Sequence, residues 1–183
     1  MTTRAKPVTY DDYLTLPNDG KKYEIIEGEL TMSPSPTTDH QEISIRLTNA
    51  IFSYVDKHKL GKVYPAPIDV VLSITDIVQP DIVFISSERT DIITKKNIIA
   101  APDLVIEILS ESTETLDRVT KKGLYERYGV REYWIVDPSA KIIEQHILEN
   151  KAFRFIGKFE SGQSIDVSTI EGLTVKLKDV FGA

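Results

Sequence analysis

Pro102-Asp103-Leu104-Val105-Ile106-Glu107-Ile108-Leu109 is the stretch on which the reading of this chain turns. It is β-branched and almost continuously apolar, the pattern of a strand covered on both faces. Glu107 interrupts that pattern. An ionised carboxylate buried without a partner costs on the order of several kcal/mol, so Glu107 needs a cation, a changed pKa or a solvated edge. A divalent metal is one economical partner, because Mg²⁺ favours one or two carboxylates completed by water and phosphate. A neighbouring Arg or Lys is another.

Working outward, residues 68–72 and 82–85 predict two strands before this one, and 132–136 and 141–148 two after it, the last pair joined by a turn at Asp137-Pro138. Two helices flank the group. Thr38 with Gln41 has capping-box spacing, and Ile43, Leu47, Ala50, Ile51, Tyr54 and Val55 recur at helical intervals, which predicts a helix over 38–59 stopped by Gly61. The second runs over 111–128 and is ended by Gly129. Ahead of the core lie a short helix (9–14, Thr9 capping with Asp12), two strands turning near Gly28, and a stiff Ser33-Pro34-Ser35-Pro36 loop; strands at 153–159 and 173–177 follow it. A run of strands bracketed by helices points to α/β (α+β) architecture, a mixed central sheet with a helix on each face. The expected organisation is a single domain over 1–183, with an N-terminal extension (1–37), a core (38–148) and C-terminal strands (149–183). No Gly-x-Gly-x-x-Gly or Walker-type loop is present, which excludes the common nucleotide-binding folds.

Composition narrows the classes further. Hydrophobic residues at 41% and charged residues at 27% exclude a disordered or collagen-like chain, and no run approaches the apolar length of a spanning helix. With no cysteine, thiolate catalysis, zinc fingers and Fe–S clusters are excluded together. No secretory signal is visible, so a soluble, cytoplasmic protein is expected. The 22 Lys plus Arg against 28 Asp plus Glu give a net charge of −6, which argues against a broad basic face that coats nucleic acid.

Two acids compete to partner Glu107. Asp103 lies four residues away on the same run, about 13 Å along a straight strand, too far to share an ion. Asp81, after Pro80 at the start of 82–85, can be a lateral neighbour instead, and Asp103 reads as a turn residue.

Pro80-Asp81 followed by Glu107, within helix, three strands, helix and strand, resembles the PD-(D/E)xK nuclease superfamily. More closely, the chain is similar to the Uma2-type bacterial family of restriction-endonuclease-like proteins. Tyr23-Glu24-Ile25-Ile26-Glu27-Gly28-Glu29, His40-Gln41, Pro102 to Ser110 and Gly129-Val130-Arg131-Glu132-Tyr133-Trp134-Ile135-Val136-Asp137-Pro138 carry that likeness. The resemblance implies a restriction-endonuclease-like fold and a Mg²⁺ (or Mn²⁺) ion held by Asp81 and Glu107, with a lysine completing a phosphodiesterase site. The superfamily's lysine position is Leu109 here, and in the close family the lysine has moved to the following helix, which offers Lys121 and Lys122. At 100° per residue Leu116, Val119, Thr120, Gly123 and Leu124 fill one arc; Lys122 points away from it, while Lys121 lies on its edge in line with Asp117, Tyr125 and Tyr128. Lys121 is therefore the expected third site residue, with a solvated lysine lying along tyrosine rings as the plainer alternative.

The ion would acidify a water and polarise the phosphate, and Lys121 would orient that water or stabilise transition-state charge. His40 either borders the site or simply serves the helix start and core, Glu27 and Glu29 read as a solvated hairpin edge, and Trp134 reads as core. Three functions remain: a metal-dependent nuclease acting on nucleic acid, DNA by preference; a nuclease-fold binding domain without turnover; and a hydrolase of other phosphoesters. A homodimer is expected, since cutting both strands of a duplex favours two sites. Arg118, Lys121, Lys122, Arg127 and Arg131 are expected to provide a modest positive strip beside the site.

Overall fold

The computed structural model describes residues 6–17, 19–110 and 113–182. Its principal sheet has six strands in the order β10-β9-β8-β7-β6-β3. These are β3 (Gly61–Pro65), β6 (Ile82–Ser86), β7 (Leu104–Ile108), β8 (Glu132–Asp137), β9 (Ile142–Glu149) and β10 (Ala152–Glu160). Every neighbouring pair is antiparallel except β7 and β8, whose connection crosses over the sheet through helical turns. The mixed sheet expected from the sequence is present.

Strand periodicity divides the core in two. Ile82, Phe84, Leu104, Ile106, Ile108, Trp134 and Val136 point to one face and pack with Ile43, Leu47, Ile51 and Val55 of helix α2 (Thr38–His58). Helix α4 (Leu177–Phe181) and the β11 (Ser164–Asp166)–β12 (Thr174–Lys176) ribbon close the same face through Ile165, Val175, Leu177 and Val180. Val83, Ile85, Val105, Tyr133 and Ile135 point to the other face, against Leu124 and Tyr125 of α3 (Lys122–Tyr128). There they also meet Ile26, Val70 and Val78 of a second sheet. That sheet is antiparallel, ordered β2-β1-β5-β4, and comprises β1 (Lys22–Ile26), β2 (Glu29–Ser33), β4 (Val70–Ser73) and β5 (Asp76–Val78). Short helix α1 (Tyr10–Tyr13) precedes it, with Thr9 and Asp12 bonded as expected.

Several local expectations are corrected. Thr37, not Thr38, caps α2 by accepting a hydrogen bond from the His40 N–H. The helix ends at His58, with Lys59 in the left-handed conformation; Gly61 begins β3 instead, where a side chain would strike the Ile85 carbonyl. The predicted strand near 68–72 begins at Val70 and belongs to the second sheet, so β3 takes its place beside β6. Residues 74–75 make a tight turn into β5 that a periodicity argument passes over, because the strand has only three residues. Leu177 opens α4 rather than extending β12. Glu111 and Ser112, the predicted start of the second helix, lie outside the described residues.

Asp103 precedes β7 and is fully buried. It accepts the Ser86 N–H at 2.8 Å, Arg89 Nη1 at 2.9 Å and Arg131 Nη1 at 3.3 Å, so it is a structural ion-pair anchor. Trp134 is core, and its Nε1 donates to the buried Glu132, which also receives Gln145 and Thr169 and ties the C-terminal loop to the sheet. Burial pulls the Asp103 carboxyl upward, but the Ser86 N–H and the Arg89 charge outweigh it and hold the pKa below the usual 3.8. Such a group stabilises the fold above its unfolded pKa and ceases to as pH falls through its folded pKa. Asp103→Asn is expected to cost about 1–3 kcal/mol at neutral pH. In urea unfolding, the gap to wild type should shrink as pH drops below 3.8.

Candidate active site

The register of β6 on β7 pairs Ile82 with Ile106 and Val83 with Val105. One step further along the same antiparallel ladder sets Asp81 across from Glu107, on the face that carries Val83 and Val105. Directly opposed side chains on one face lie about 5 Å apart at Cβ, so the two acids are lateral neighbours. Asp81 Oδ2 accepts the Ile108 N–H at 2.8 Å and faces His40 Nε2 at 3.2 Å; its Oδ1 lies 3.9 Å from Lys22 Nζ. Burial raises the Asp81 pKa, but the His40 hydrogen bond, the Lys22 charge and the Ile108 N–H together hold it below the ordinary value.

Glu107 is completely enclosed. Its Oε1 accepts from Tyr125 Oη at 2.6 Å and from Lys121 Nζ at 3.1 Å. The same ammonium lies 3.0 Å from Glu24 Oε1 and 3.3 Å from Asp117 Oδ1, and Lys121 is 1% exposed. Of the two lysines that the sequence offers, Lys121 is the one whose ammonium lies beside Glu107. Residues Leu116–Lys121 form a π-helical turn ahead of α3. The face packed on the sheet is the row Asp117, Lys121 and Tyr125, spaced i, i+4 and i+8, and not the arc that includes Val119, which is 67% exposed. Tyr133 Oη donates to the Asp117 carbonyl and fastens this turn to β8.

The electrostatics follow from the crowding. Four carboxylates (Glu24, Asp81, Glu107, Asp117) share two ammonium groups, Lys121 and Lys22. Burial pushes the Glu107 carboxyl up to about 8 against the pull of Lys121, with Asp117 and Asp81 adding repulsion. Asp117 is raised for the same first reason. Lys121 is held well above its ordinary pKa: desolvation works against its charge, but Glu107, Glu24 and Asp117 outweigh it.

A hard cation fits this donor set. The donors are carboxylate oxygens, acid exceeds base, and Glu24 Oε2 is buried with no hydrogen-bond partner. Among the described residues no three His, Cys, Asp or Glu side chains form a ready cage.

Glu24 and Lys22 were missed in sequence, although Glu24 carries the same signal as Glu107, an acid inside an apolar run. Glu27 and Glu29 are exposed, and Glu27 pairs with Arg127. Most of the expected positive strip is engaged. Arg118 pairs with Glu114, Asp137 and Glu144, Arg131 with Asp103, and Lys121 is buried in the site.

The family described as "Uma2: Putative restriction endonuclease" matches residues 10–178. The chain belongs to the Uma2 family. No curated protein matches the sequence. The fold is similar to the crystal structure of a "putative nuclease belonging to DUF820" from Anabaena variabilis ATCC 29413, with a TM-score of 0.79 and 23% identity over 96% of this chain and 98% of that one. The Uma2 chain thus has a restriction-endonuclease-like fold in a nuclease family, and among its described residues no helix is long and apolar enough to cross a membrane.

Removing a partner from a buried ion pair leaves uncompensated charge, which costs about 3–5 kcal/mol. Lys121→Met should lose that much in urea unfolding, while Lys122→Met should stay within about 0.5 kcal/mol of wild type. Equal effects would overturn the assignment of Lys121.

Proposed function

We propose that this Uma2 protein is a Mg²⁺- or Mn²⁺-dependent endonuclease that hydrolyses phosphodiester bonds, with DNA as substrate. The observation that carries this reading is the opposition of Asp81 and Glu107 on adjacent strands with the Lys121 ammonium 3.1 Å from Glu107. Asp81 and Glu107 would hold the ion. A divalent cation at such a site supplies an acidified water and neutralises charge on the scissile phosphate.

The chain's own groups do the rest. His40 and the Ile108 N–H fix one Asp81 oxygen and leave the other turned toward Lys22. Tyr125 locks the Glu107 carboxylate in orientation. Lys121 brings a permanent positive charge beside that carboxylate and stabilises the charge that develops at phosphorus. Lys22, whose side chain is a quarter exposed, is the cation through which an entering phosphate is first met. No protein nucleophile is needed. A homodimer would place two such sites on the two strands of a duplex.

One observation favours a second reading, a binding domain of nuclease fold without turnover: the Lys121 ammonium is already engaged by three carboxylates and shut away from solvent. Cleavage separates the two. Purified protein should nick supercoiled plasmid with Mg²⁺ or Mn²⁺ and not with EDTA, and Asp81→Ala should lower the rate by about 10²–10³-fold. Cleavage of small phosphodiesters without polynucleotide cleavage would transfer the site to a non-nucleic substrate. No cleavage by wild type, or equal cleavage by the variant, would sink the endonuclease reading.

A further inference from the structure

Helix α2 carries two stripes. Ile43, Leu47, Ile51 and Val55 are buried against the principal sheet. Gln41, Ile45, Thr48 and Phe52 form the second, at intervals of 4, 3 and 4 residues, the spacing of a coiled-coil seam. Among the described residues nothing covers its two large apolar members: Ile45 is 67% exposed and Phe52 51%. Apolar side chains repeated at seam spacing on an open helix face mark an interaction surface.

The stripe has a knob at one end and a hollow at the other. Phe52 projects from the C-terminal half of α2. A hollow of about 540 Å³, roomy enough for a phenyl ring, lies at the N-terminal end between Pro36, Thr37, Thr38, Gln41 and Ile45. Glu42 and Arg46 also line it and are paired with each other. A second hollow, of about 400 Å³, runs on from Ile45 past Thr48 and Asn49 to Phe52, and its lining carries no charge. Two copies of a chain with a net charge of −6 repel, so they approach most readily where charge is absent. The same neutrality disfavours nucleic acid, whose phosphates call for unpaired cations.

A surface that holds both a knob and a hollow for it is complementary to itself, because a two-fold rotation lays each on the other. We propose that α2 packs antiparallel against α2 of a second copy, with Phe52 of each copy filling the N-terminal hollow of the other. Aligning Phe52 with the second copy's Gln41 puts Ile45 opposite Thr48 and sets the two-fold between Arg46 and Leu47. The two His40 residues then stand about 20 Å apart along the helix axis, at 1.5 Å per residue. His40 Nε2 is 3.2 Å from Asp81 Oδ2, so each Asp81 lies beside the rim of the interface. The function proposed above uses a homodimer; this assigns its contact surface, and the contact requires neither metal nor cleavage.

Sedimentation equilibrium over a dilution series tests this, with circular dichroism to confirm folding. Wild type should show twice the 20.6 kDa chain mass. Phe52→Lys should weaken association by about thirtyfold or more with the fold intact. Should that variant fail to fold, Ile45→Lys on the same open stripe is the second probe, and the same loss is expected. Adding Gln41→Glu to Phe52→Lys sets opposite charges across the two-fold and should recover about tenfold of the lost affinity. The two positions are about 16 Å apart within one copy, so only a contact between copies can give that rescue. A monomeric wild type, or a dimer that Phe52→Lys and Ile45→Lys leave intact, would overturn the interface. Loss without rescue would overturn the antiparallel pairing. A monomeric wild type whose oligonucleotide binding falls in Phe52→Lys would transfer the stripe to nucleic acid.

Discussion

One ammonium group holds the centre of this molecule together. Lys121 Nζ meets Glu24, Glu107 and Asp117 within 3.3 Å, and each of these comes from a different element: β1, β7 and the π-helical turn. Without that charge, three carboxylates would be buried side by side, and their repulsion at such separations reaches several kcal/mol per pair even with an effective dielectric near 20. The position of the hairpin and the phase of the crossover helix are thus set by one lysine. Asp117, Lys121 and Tyr125, at i, i+4 and i+8, form one buried row, and Val119 on the opposite side turns outward.

The sheet beneath supplies precision that the lysine alone cannot. The antiparallel ladder of β6 and β7 sets Asp81 across from Glu107 by register, and a slip of one residue would send one acid to the α2 face. That register is anchored at its far end by Asp103, which binds the Ser86 N–H and two arginines. At the near end Asp81 itself accepts the Ile108 N–H. A site residue and a structural residue therefore do the same mechanical job at opposite ends of one strand pair, and only their surroundings differ. Asp103 is matched by arginines in excess; Asp81 has a histidine and a lysine 3.9 Å away.

How much of this the sequence discloses depends on the range of each interaction. Local patterns read well: α2, the strand around Glu107, the hairpin near Gly28 and the buried Trp134 follow from periodicity and turn chemistry. The choice of Asp81 over Asp103 as the lateral neighbour of Glu107 follows from strand rise alone. What periodicity does not carry is a buried face built from charged residues, or any very short element. The crossover helix buries its Asp117, Lys121 and Tyr125 row and exposes apolar Val119, and β3 and β5 are too short and too mixed to signal themselves. Glu24 was legible in kind, as an acid in an apolar run, but its partner lies almost a hundred residues away and no local rule names it. The positive strip is largely engaged for a related reason: Arg118 is claimed by Glu144, Arg127 by Glu27 and Arg131 by Asp103, acids distant in sequence.

The acidity of the chain, −6 overall, acquires a local meaning at the site. An incoming phosphodiester carries negative charge toward a cluster in which carboxylates outnumber ammonium groups, and the burial that raises Glu107 shows how poorly the cluster tolerates its own charge. On the proposed reading, cation binding and substrate binding are coupled by that excess. The cation satisfies the carboxylates, and only then does Lys121 have charge to offer a phosphate rather than Glu24 and Glu107. Lys22 and His40, at the more open edge beside Asp81, are placed to receive the polyanion first. The same electrostatic imbalance that makes the cluster costly in isolation would thus make phosphate binding conditional on the metal. A protein whose basic strip is mostly paired would be kept off nucleic acid until the ion is in place.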